Sequence, residues 1–581
     1  MQFREVALVF ESIETISSRL EITELLARLL ASATPEEATI ICNFTMGQLN
    51  PPYKGTQFNI ADKILRIVVA DVLATSVDYV TEQSHKVGDI GSVLQTGDWD
   101  ITEQLTIVQV YEQLVLLEKM SGTGSQEIKI DFLKKLFEQL DQLSAKYIAR
   151  IILGKLRLGF SDMTIIDALS WMEAGDKSLR KIIENAYNIC ADIGFIAQQL
   201  KQHGIISLEN LEINVGIPIR PSAAERLPTA RAIVEKLGDC VAQPKLDGFR
   251  LQMHMSKNAQ GNNITIHFFS RNLLDMSYMF PEIAQAFEHL NIQSIICEGE
   301  AIVYDENTQQ FLTFQETVKR KRKHSIDQMA QELPLRVYIF DLLYLNGQSF
   351  LNKTHAERRQ QLMDLFKDSC SKNIFVIEEK HITTAQELEN YFVSNIAAGL
   401  EGLVVKREDA IYQPGKRNFN WIKLKRQEEG HLEDTIDCVI LGYYYGAGKR
   451  AQFGIGAFLV GVYNAENQMF ETVAKIGTGL KDNEWHELKN KCDKLKRDNK
   501  PINVSCAAEL APDVWIDPEL VVLIRADEIT LSPVHKAGKT EKKLGYALRF
   551  PRIMGYRTDK SAYDATTADE VERLYQDQFI K

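Results

Sequence analysis

Lys245 opens the stretch Lys-Leu-Asp-Gly-Phe-Arg that closes on Arg250. A lysine amine beside an aspartate, a glycine and an arginine suits attack on a nucleotide phosphate. The amine is ordinarily protonated, with a pKa of roughly 10.4, and must lose that proton before it can reach phosphorus. Neighbouring cations and removal from water both lower the cost of the neutral form. The chain offers cations at several candidate strand ends: Arg250, Arg271, Lys406, Lys423 and Lys425. The same charges would neutralise a triphosphate and a departing pyrophosphate.

The elements that carry these residues sharpen the pattern. In Trp421-Ile-Lys-Leu-Lys425 the period of two puts Lys423 and Lys425 on one strand face and turns Ile422 and Leu424 to the core. Lysines that share a half-buried face need an anionic partner. In Glu298-Gly-Glu300 both carboxylates share a face. They repel each other unless a cation or ribose hydroxyls lie between them or nearby. Glu401 offers a further oxygen ligand. In Tyr338-Ile-Phe-Asp341 one face carries Tyr338 and Phe340, where a ring can stack on a purine. Each item alone has a plainer reading: Phe340 as core, Lys406 as a solvated lysine, the two glutamates as an exposed strand face. Their joint occurrence is what points to chemistry.

The 581 residues, 45% hydrophobic and 25% charged, suit a few globular domains rather than one. Residues 1–205 read as helical, with Leu20, Leu25, Leu26, Leu29 and Leu30, and later Leu133, Leu136 and Leu140, at helical spacing. Lys146, Arg150, Lys155 and Arg157 cluster there with few acids. Lys155 and Arg157 sit in Gly154-Lys-Leu-Arg-Leu-Gly159, whose glycines can bring backbone amides close to a phosphate. A solvated helix face is an equally good reading of that cluster. Gly216-Ile-Pro-Ile-Arg-Pro221 cannot be a regular helix and reads as a linker.

Residues 206–428 mix short strands with helices. Strands are expected over 251–255, 264–270, 295–304, 337–345, 402–407 and 421–425, and helices over 281–290 and 356–367. Residues 429–581 begin with strands over 437–445 and 458–463, joined through Gly446-Ala-Gly448 and Gly454-Ile-Gly456. The glycine pairs read as turns of a small β-barrel, because no helix with a Gly-Lys-Ser/Thr start follows them. The expected fold is therefore multidomain: an all-α N-terminal domain, an α+β central domain, and an all-β C-terminal domain of OB type.

The formal net charge of −12 argues mildly against a polyanionic partner, although where the positive charge lies matters more than its total. No apolar run is long enough to span a bilayer, so no membrane partner is expected. The eight cysteines form no C-x-x-C pair, which excludes the common zinc and redox motifs. Reduced thiols are expected, and so is a cytoplasmic location, since Met1-Gln-Phe-Arg-Glu5 lacks a secretory pattern.

The ordered series of segments resembles the ATP-dependent DNA ligases, particularly the archaeal and eukaryotic replicative type, over almost the whole chain. It comprises Lys245 to Arg250, Phe269-Ser-Arg-Asn272, Glu298-Gly-Glu300, Tyr338-Ile-Phe-Asp341, Glu401-Gly-Leu-Val-Val-Lys406, Trp421-Ile-Lys-Leu-Lys425, and Arg549-Phe-Pro-Arg552 with Arg557-Thr-Asp-Lys560. In the helical segment Ser121-Gly-Thr-Gly-Ser-Gln126, Lys146-Tyr-Ile-Ala-Arg150 and Gly154 to Gly159 are similar to that family's DNA-binding domain. The resemblance implies a DNA-binding domain, an adenylation domain and an OB domain that encircle a nick. It implies ATP as co-substrate, Mg²⁺ as metal, nicked duplex DNA as partner and sequence-independent sealing.

The resemblance also implies residue roles. Lys245 is the nucleophile that becomes lysyl-AMP, with Asp247 the second catalytic residue. Phe340 stacks on adenine, and Gln243 faces the base edge. Arg250 and Glu300 meet the ribose, while Arg271, Arg417, Lys423 and Lys425 meet the phosphates. Glu300 and Glu401 contact Mg²⁺. Arg557 and Lys560 swing in to orient pyrophosphate. Lys146, Arg150, Lys155 and Arg157 contact DNA. A monomer is expected, associated with the nucleoid of a prokaryotic cell.

Two departures stand out. Relatives often carry glutamate where Gln243 stands, which opens the choice of nucleotide. The stretch near Gly97-Asp-Trp-Asp100 lacks a clamp-docking pattern of glutamine with paired aromatics, leaving a sliding clamp unsupported. An mRNA capping guanylyltransferase and an RNA ligase also use Lys-x-Asp-Gly, but neither needs the helical segment. An NAD-dependent ligase lacks its cysteine-ligated zinc module here. A non-enzymatic DNA-binding protein would not need Lys245, Glu300, Glu401 and Lys423 together. The run Lys319-Arg-Lys-Arg-Lys323 mimics a nuclear signal and is expected to be a DNA-facing loop.

Overall fold

A computed structural model describes residues 1–99, 104–258, 263–305, 310–312, 317, 319–320, 326–367, 371–425 and 435–578. They fall into two compact units. One takes in Met1–Ile60, Ile101–Lys129 and Arg150–Arg426, and the other Ala61–Asp100, Ile130–Ala149 and Gln427–Lys581.

The helices of the first unit start where the sequence supplies caps. Ser18 accepts from the Glu21 backbone N–H ahead of Arg19–Ser32. Thr34 and Glu37 form a reciprocal capping box, with Pro35 at the first helical position of Pro35–Thr45. Thr106 and Gln109 do the same for Ile107–Lys119. In Arg19–Ser32 the buried stripe is Ile22, Leu26, Leu29 and Leu30, whereas Leu20 lies on the outer face.

Two sheets build the α+β part of this unit. The five-stranded sheet runs in the order Ala223–Arg226, Arg417–Lys425, Gly402–Lys406, Cys240–Lys245, Lys380–Ile382. Helices Ala230–Leu237 and Ala385–Ala397 cover one face over a core of Ile233, Ala242, Leu388, Leu403, Val405, Ile422 and Leu424. The seven-stranded sheet is built around Ile264–Ser270, Phe249–Lys257, Ser294–Asp305 and Leu335–Leu345. It packs on helices Pro281–Glu288 and His355–Phe366. Between the sheets lie two smaller clusters. One holds Ile296, Leu343, Tyr412 and Trp421, the other Leu246, Ile302 and Ile377, and Phe340 packs against both.

The residues expected to be a linker are strapped down. Ile219 exchanges two hydrogen bonds with the Gln252 amide, at 2.7 and 2.9 Å. The Gly216 N–H donates to His254 Nδ1 at 3.0 Å, and the Ser222 N–H to the Tyr412 hydroxyl at 2.9 Å. The expectation of a non-helical segment holds, but its backbone is part of the central fold.

In the second unit, Ile436–Tyr444 pairs antiparallel with Ala457–Asn464 and with Val521–Arg525, and Ala457–Asn464 continues to Met469–Ile476. Both glycine pairs fall in the single connection from 445 to 456, which contains the 3₁₀ turn Gly448–Phe453 rather than tight hairpins. The C-terminal region is strand-rich but not all-β. Helices Asp482–Asp493 and Ala568–Asp577 bury Trp485, Leu488, Cys492 and Val571 in its core. Many of their other residues are charged, so a narrow apolar stripe among acids and lysines hides the helical period. Helix Val77–Val87 of the same unit stacks His85 on Tyr445, with ring centroids 4.6 Å apart. Among the described residues, no helix is long and apolar enough to cross a membrane. The seven described cysteines are free thiols.

Candidate active site

Lys245 ends the strand Cys240–Lys245 and lies opposite Gly402, whose other strand neighbour is Lys425. Glu401, one residue earlier, therefore sits between the two lysine-bearing strands. Its carboxylate accepts from Lys245 Nζ on one oxygen and from Lys425 Nζ on the other. The Glu401 N–H donates to the Lys245 carbonyl at 3.1 Å. Gly402 has a φ of 143°, and a Cβ there would collide with the Leu424 carbonyl oxygen. Glycine is thus required for the close strand approach that brings Glu401 between the lysines. Burial pushes the Glu401 carboxyl up, but the Lys245 and Lys425 ammonium groups outweigh it and hold the acid below its usual range.

Lys423 shares the face of Lys425, as the period of two requires. Burial depresses its ammonium, and the charges of Lys425, Arg417, Lys245 and Arg271 add to that. These cations form one cluster. Within it Arg271, Arg417 and Lys423 have no acidic partner among the described residues. Three unmatched cations around a half-buried lysine–glutamate–lysine group are arranged for a polyanion.

Arg250 and Glu300 face each other across neighbouring strands. The Arg250 guanidinium binds both oxygens of Glu298, at 3.0 and 3.1 Å, and the Ser222 carbonyl at 2.8 Å. Tyr412 donates to Glu298 at 2.9 Å. Arg250 is thus the cation that reconciles the two carboxylates of Glu298-Gly-Glu300. Among the described residues its Nε is buried without a partner, a donor that suits an acceptor from outside the chain. Glu300 accepts the Gly248 N–H at 3.2 Å. Burial pushes its carboxyl up to about 7 against the pull of Lys245 and Arg250. Asp247 is exposed in the turn between Lys245 and Phe249.

Phe340 is half-buried, edge-on to Trp421 with centroids 6.0 Å apart. Lys406 is not a phosphate contact. It is fully buried, donates to the Phe340 carbonyl at 3.0 Å, and stands 4.4 Å from the Trp421 ring centre. Burial brings its ammonium down to about 8 despite Asp341. Asp341 is equally buried and binds Arg358 at 2.6 and 3.1 Å. These groups brace the strand that presents Phe340. Gln243 points its amide nitrogen at Glu379, 2.6 Å away.

Other expected contacts lie elsewhere. Arg557 and Lys560 are both bound to Asp437 in the C-terminal region, at 3.0 and 2.7 Å. Lys146 and Arg150 are buried, and Arg150 is ion-paired with Glu14. Lys155 is exposed, and Arg157 is half-buried with a φ of 66°. Of the basic run at 319–323, Lys319 is exposed. Arg320 is buried and bound to the Met279 carbonyl at 2.7 Å and to Glu282 at 3.0 Å, so it anchors the domain rather than facing DNA. Lys321, Arg322 and Lys323 lie outside the described residues, as does Asp100 of the stretch weighed for clamp docking. Sequence reasoning missed Glu379, Tyr412, His355 and Arg358, which have no motif of their own.

Comparisons with known proteins agree with this geometry. Three family models match in order: "DNA ligase N terminus" over residues 2–170, "ATP dependent DNA ligase domain" over 221–425, and "ATP dependent DNA ligase C terminal region" over 451–560. A "Probable DNA ligase" of Dictyoglomus turgidum is 43% identical over 580 residues, covering 100% of this chain and 98% of that one. A "DNA ligase" of Nitrosopumilus maritimus is 35% identical over 597 residues, covering 100% and 98%. A solved structure named Pmar-Lig_PreS3 shares the fold with a TM-score of 0.58, at 17% identity over 95% of this chain and 99% of that one.

Proposed function

The chain belongs to the ATP-dependent DNA ligases, and from that membership and the geometry around Lys245 we propose how it seals a nick in duplex DNA. Lys245 Nζ attacks the α-phosphorus of ATP. A P–N bond forms, the bond to the β-phosphate oxygen breaks, and pyrophosphate leaves with the electron pair. The 5′-phosphate at the nick then displaces Lys245 and takes the AMP. Finally the 3′-hydroxyl attacks that phosphate, closes the phosphodiester and releases AMP.

The observation that carries this reading is the Lys245–Glu401–Lys425 group ringed by Arg271, Arg417 and Lys423. Glu401 holds the Lys245 amine in place between the two strands. The unmatched cations receive the phosphates. The orphaned Nε of Arg250 suits a ribose oxygen, and Phe340 supplies a face for adenine.

Among the described residues no group of three or more His, Cys, Asp or Glu is set to hold a metal. Mg²⁺ nonetheless fits Glu300 and Glu401, because it takes one or two carboxylates and completes its shell from phosphates and water. Glu300 is short of compensating positive charge, which such an ion brings. When bound, Mg²⁺ neutralises phosphate charge and polarises the α-phosphoryl oxygens. Arg557 and Lys560 act on the departing pyrophosphate, and the exposed loop with Lys155 meets DNA phosphates.

The test is label transfer from α-labelled ATP. Lys245→Ala is expected to abolish the acid-labile adduct while nicked-DNA binding survives. Residual labelling of that variant would place the nucleophile elsewhere.

A further inference from the structure

Gln243 lies two residues before Lys245 and shares its strand face, ~7 Å further along. It is nearly fully buried, and its only side-chain hydrogen bond among the described residues runs from Nε2 to Glu379 Oε2, at 2.6 Å. The same carboxylate oxygen accepts from His355 Nε2 at 2.8 Å, and the other faces Arg359 Nε at 3.8 Å. Glu379 follows the strand Ile374–Val376, which pairs with the strand that carries Phe340, and Ile377 donates to the Ile339 carbonyl at 2.9 Å. Gln243 and Phe340 thus come from different sheets and are tied through Glu379.

A carboxylate accepts hydrogen bonds and donates none, so Glu379 dictates the orientation of the Gln243 amide. The nitrogen must face Glu379. The carbonyl oxygen Oε1 is left with no donor from a described residue. Glu379 stays ionised, because burial raises its carboxyl but the His355 hydrogen bond and the charges of Lys406 and Arg359 bring it below its usual range. His355 is held neutral by burial, so its Nε2 carries the proton it gives to Glu379.

We infer that Glu379 sets nucleobase choice by locking Gln243 with its oxygen toward the base, where it accepts from the exocyclic amine of adenine. A purine with a 6-oxo group presents an acceptor to that acceptor and is rejected. An unrestrained glutamine has no such preference, because its amide can flip. Glu379 is a positioning residue and need not touch the nucleotide. The inference rests on the proposed reaction, with Gln243 beside the bound base.

The experiment compares ATP with inosine triphosphate, which carries a 6-oxo group in place of the 6-amino group and an N1–H in place of the N1 lone pair. The readout is kcat/KM for formation of the lysyl adduct on the full chain. The wild-type protein is expected to favour ATP by roughly 10- to 100-fold. Glu379→Gln frees the amide and is expected to bring the ratio towards unity. Gln243→Glu together with Glu379→Gln restores a donor facing an acceptor, leaves a carboxylate oxygen toward the base, and is expected to recover the preference. A purely structural role would lower both substrates together and would not be rescued by the exchange. Equal use of both nucleotides by the wild type, an unchanged ratio in Glu379→Gln, or an exchanged variant that folds without discriminating would each overturn the inference. If Glu379→Gln does not fold, the wild-type ratio and the exchanged variant still decide. Absence of an adduct from any nucleotide overturns the reaction itself, and this inference with it.

Discussion

Replacing Asp341 by asparagine removes the negative centre of a buried group while leaving its cations in place. The carboxylate is fully buried, binds Arg358 at 2.6 and 3.1 Å, and faces Lys406 Nζ at 3.9 Å. Burial pushes this acid up, but Arg358 and Lys406 bring it from 3.8 down to about 2. At about 1.4 kcal/mol for each power of ten, that difference stabilises the fold by about 2.5 kcal/mol. Leaving Arg358 and Lys406 without their partner adds to the loss, and breaking a buried pair commonly costs about 3–5 kcal/mol. Asp341→Asn is therefore expected to lose about 2.5–5 kcal/mol at pH 7. The folded acid titrates below the unfolded one, so the stabilisation is complete above about pH 4 and fades as pH falls towards 2. The gap between wild type and variant should be flat from pH 5 to 8 and shrink below 4. Urea unfolding followed by tryptophan fluorescence, in steps from pH 8 to 3, measures this. A gap under about 1 kcal/mol at pH 7, or one undiminished at pH 3, would refute the assignment of Asp341 as the electrostatic keystone beneath Phe340.

Three further outcomes test separate parts of the site. Lys560→Ala is expected to slow self-adenylation while sparing closure of pre-adenylated nicks, and equal loss in both assays would contradict its role at pyrophosphate. Phe340→Ala removes a stacking face valued at roughly 1–3 kcal/mol per base, so KM for ATP should rise by about 10- to 100-fold with little change in sealing of pre-adenylated nicks. Gly402→Ala forces a side chain against the Leu424 carbonyl oxygen and displaces Glu401 from between Lys245 and Lys425. It should cut adduct formation at least ~100-fold, and wild-type labelling by a folded variant would show that this strand approach is dispensable.

Strand periodicity made much of the central domain legible. Expected strands over 264–270 and 295–304 are observed as Ile264–Ser270 and Ser294–Asp305, and the expected helix 356–367 as His355–Phe366. Lys423 and Lys425 share a face because Ile422 and Leu424 occupy the other. What escaped was pairing across long sequence separation. Gln243 meets Glu379 136 residues away, and Glu298 meets Tyr412 114 residues away. No local pattern marks such a partner, because the sheets rather than the spacing bring it close. Charge was the least legible property. Lys406, Arg150 and Arg320 read as surface cations, yet each is buried against an acid or a carbonyl.

That contrast explains how a chain with a net charge of −12 presents a site for a triphosphate. Its cations divide by whether the fold has already matched them. Arg358 and Lys406 spend their charge on Asp341, so they set geometry and offer little to a ligand, whereas Arg250 spends its charge on Glu298 and keeps its Nε donor for one. Arg271, Arg417 and Lys423 carry charge that no described acid balances, and they meet around Lys245. The two buried clusters that Phe340 bridges include Trp421 and Leu246, close in sequence to Lys423 and Lys245, and a low-dielectric flank strengthens the field of charges beside it.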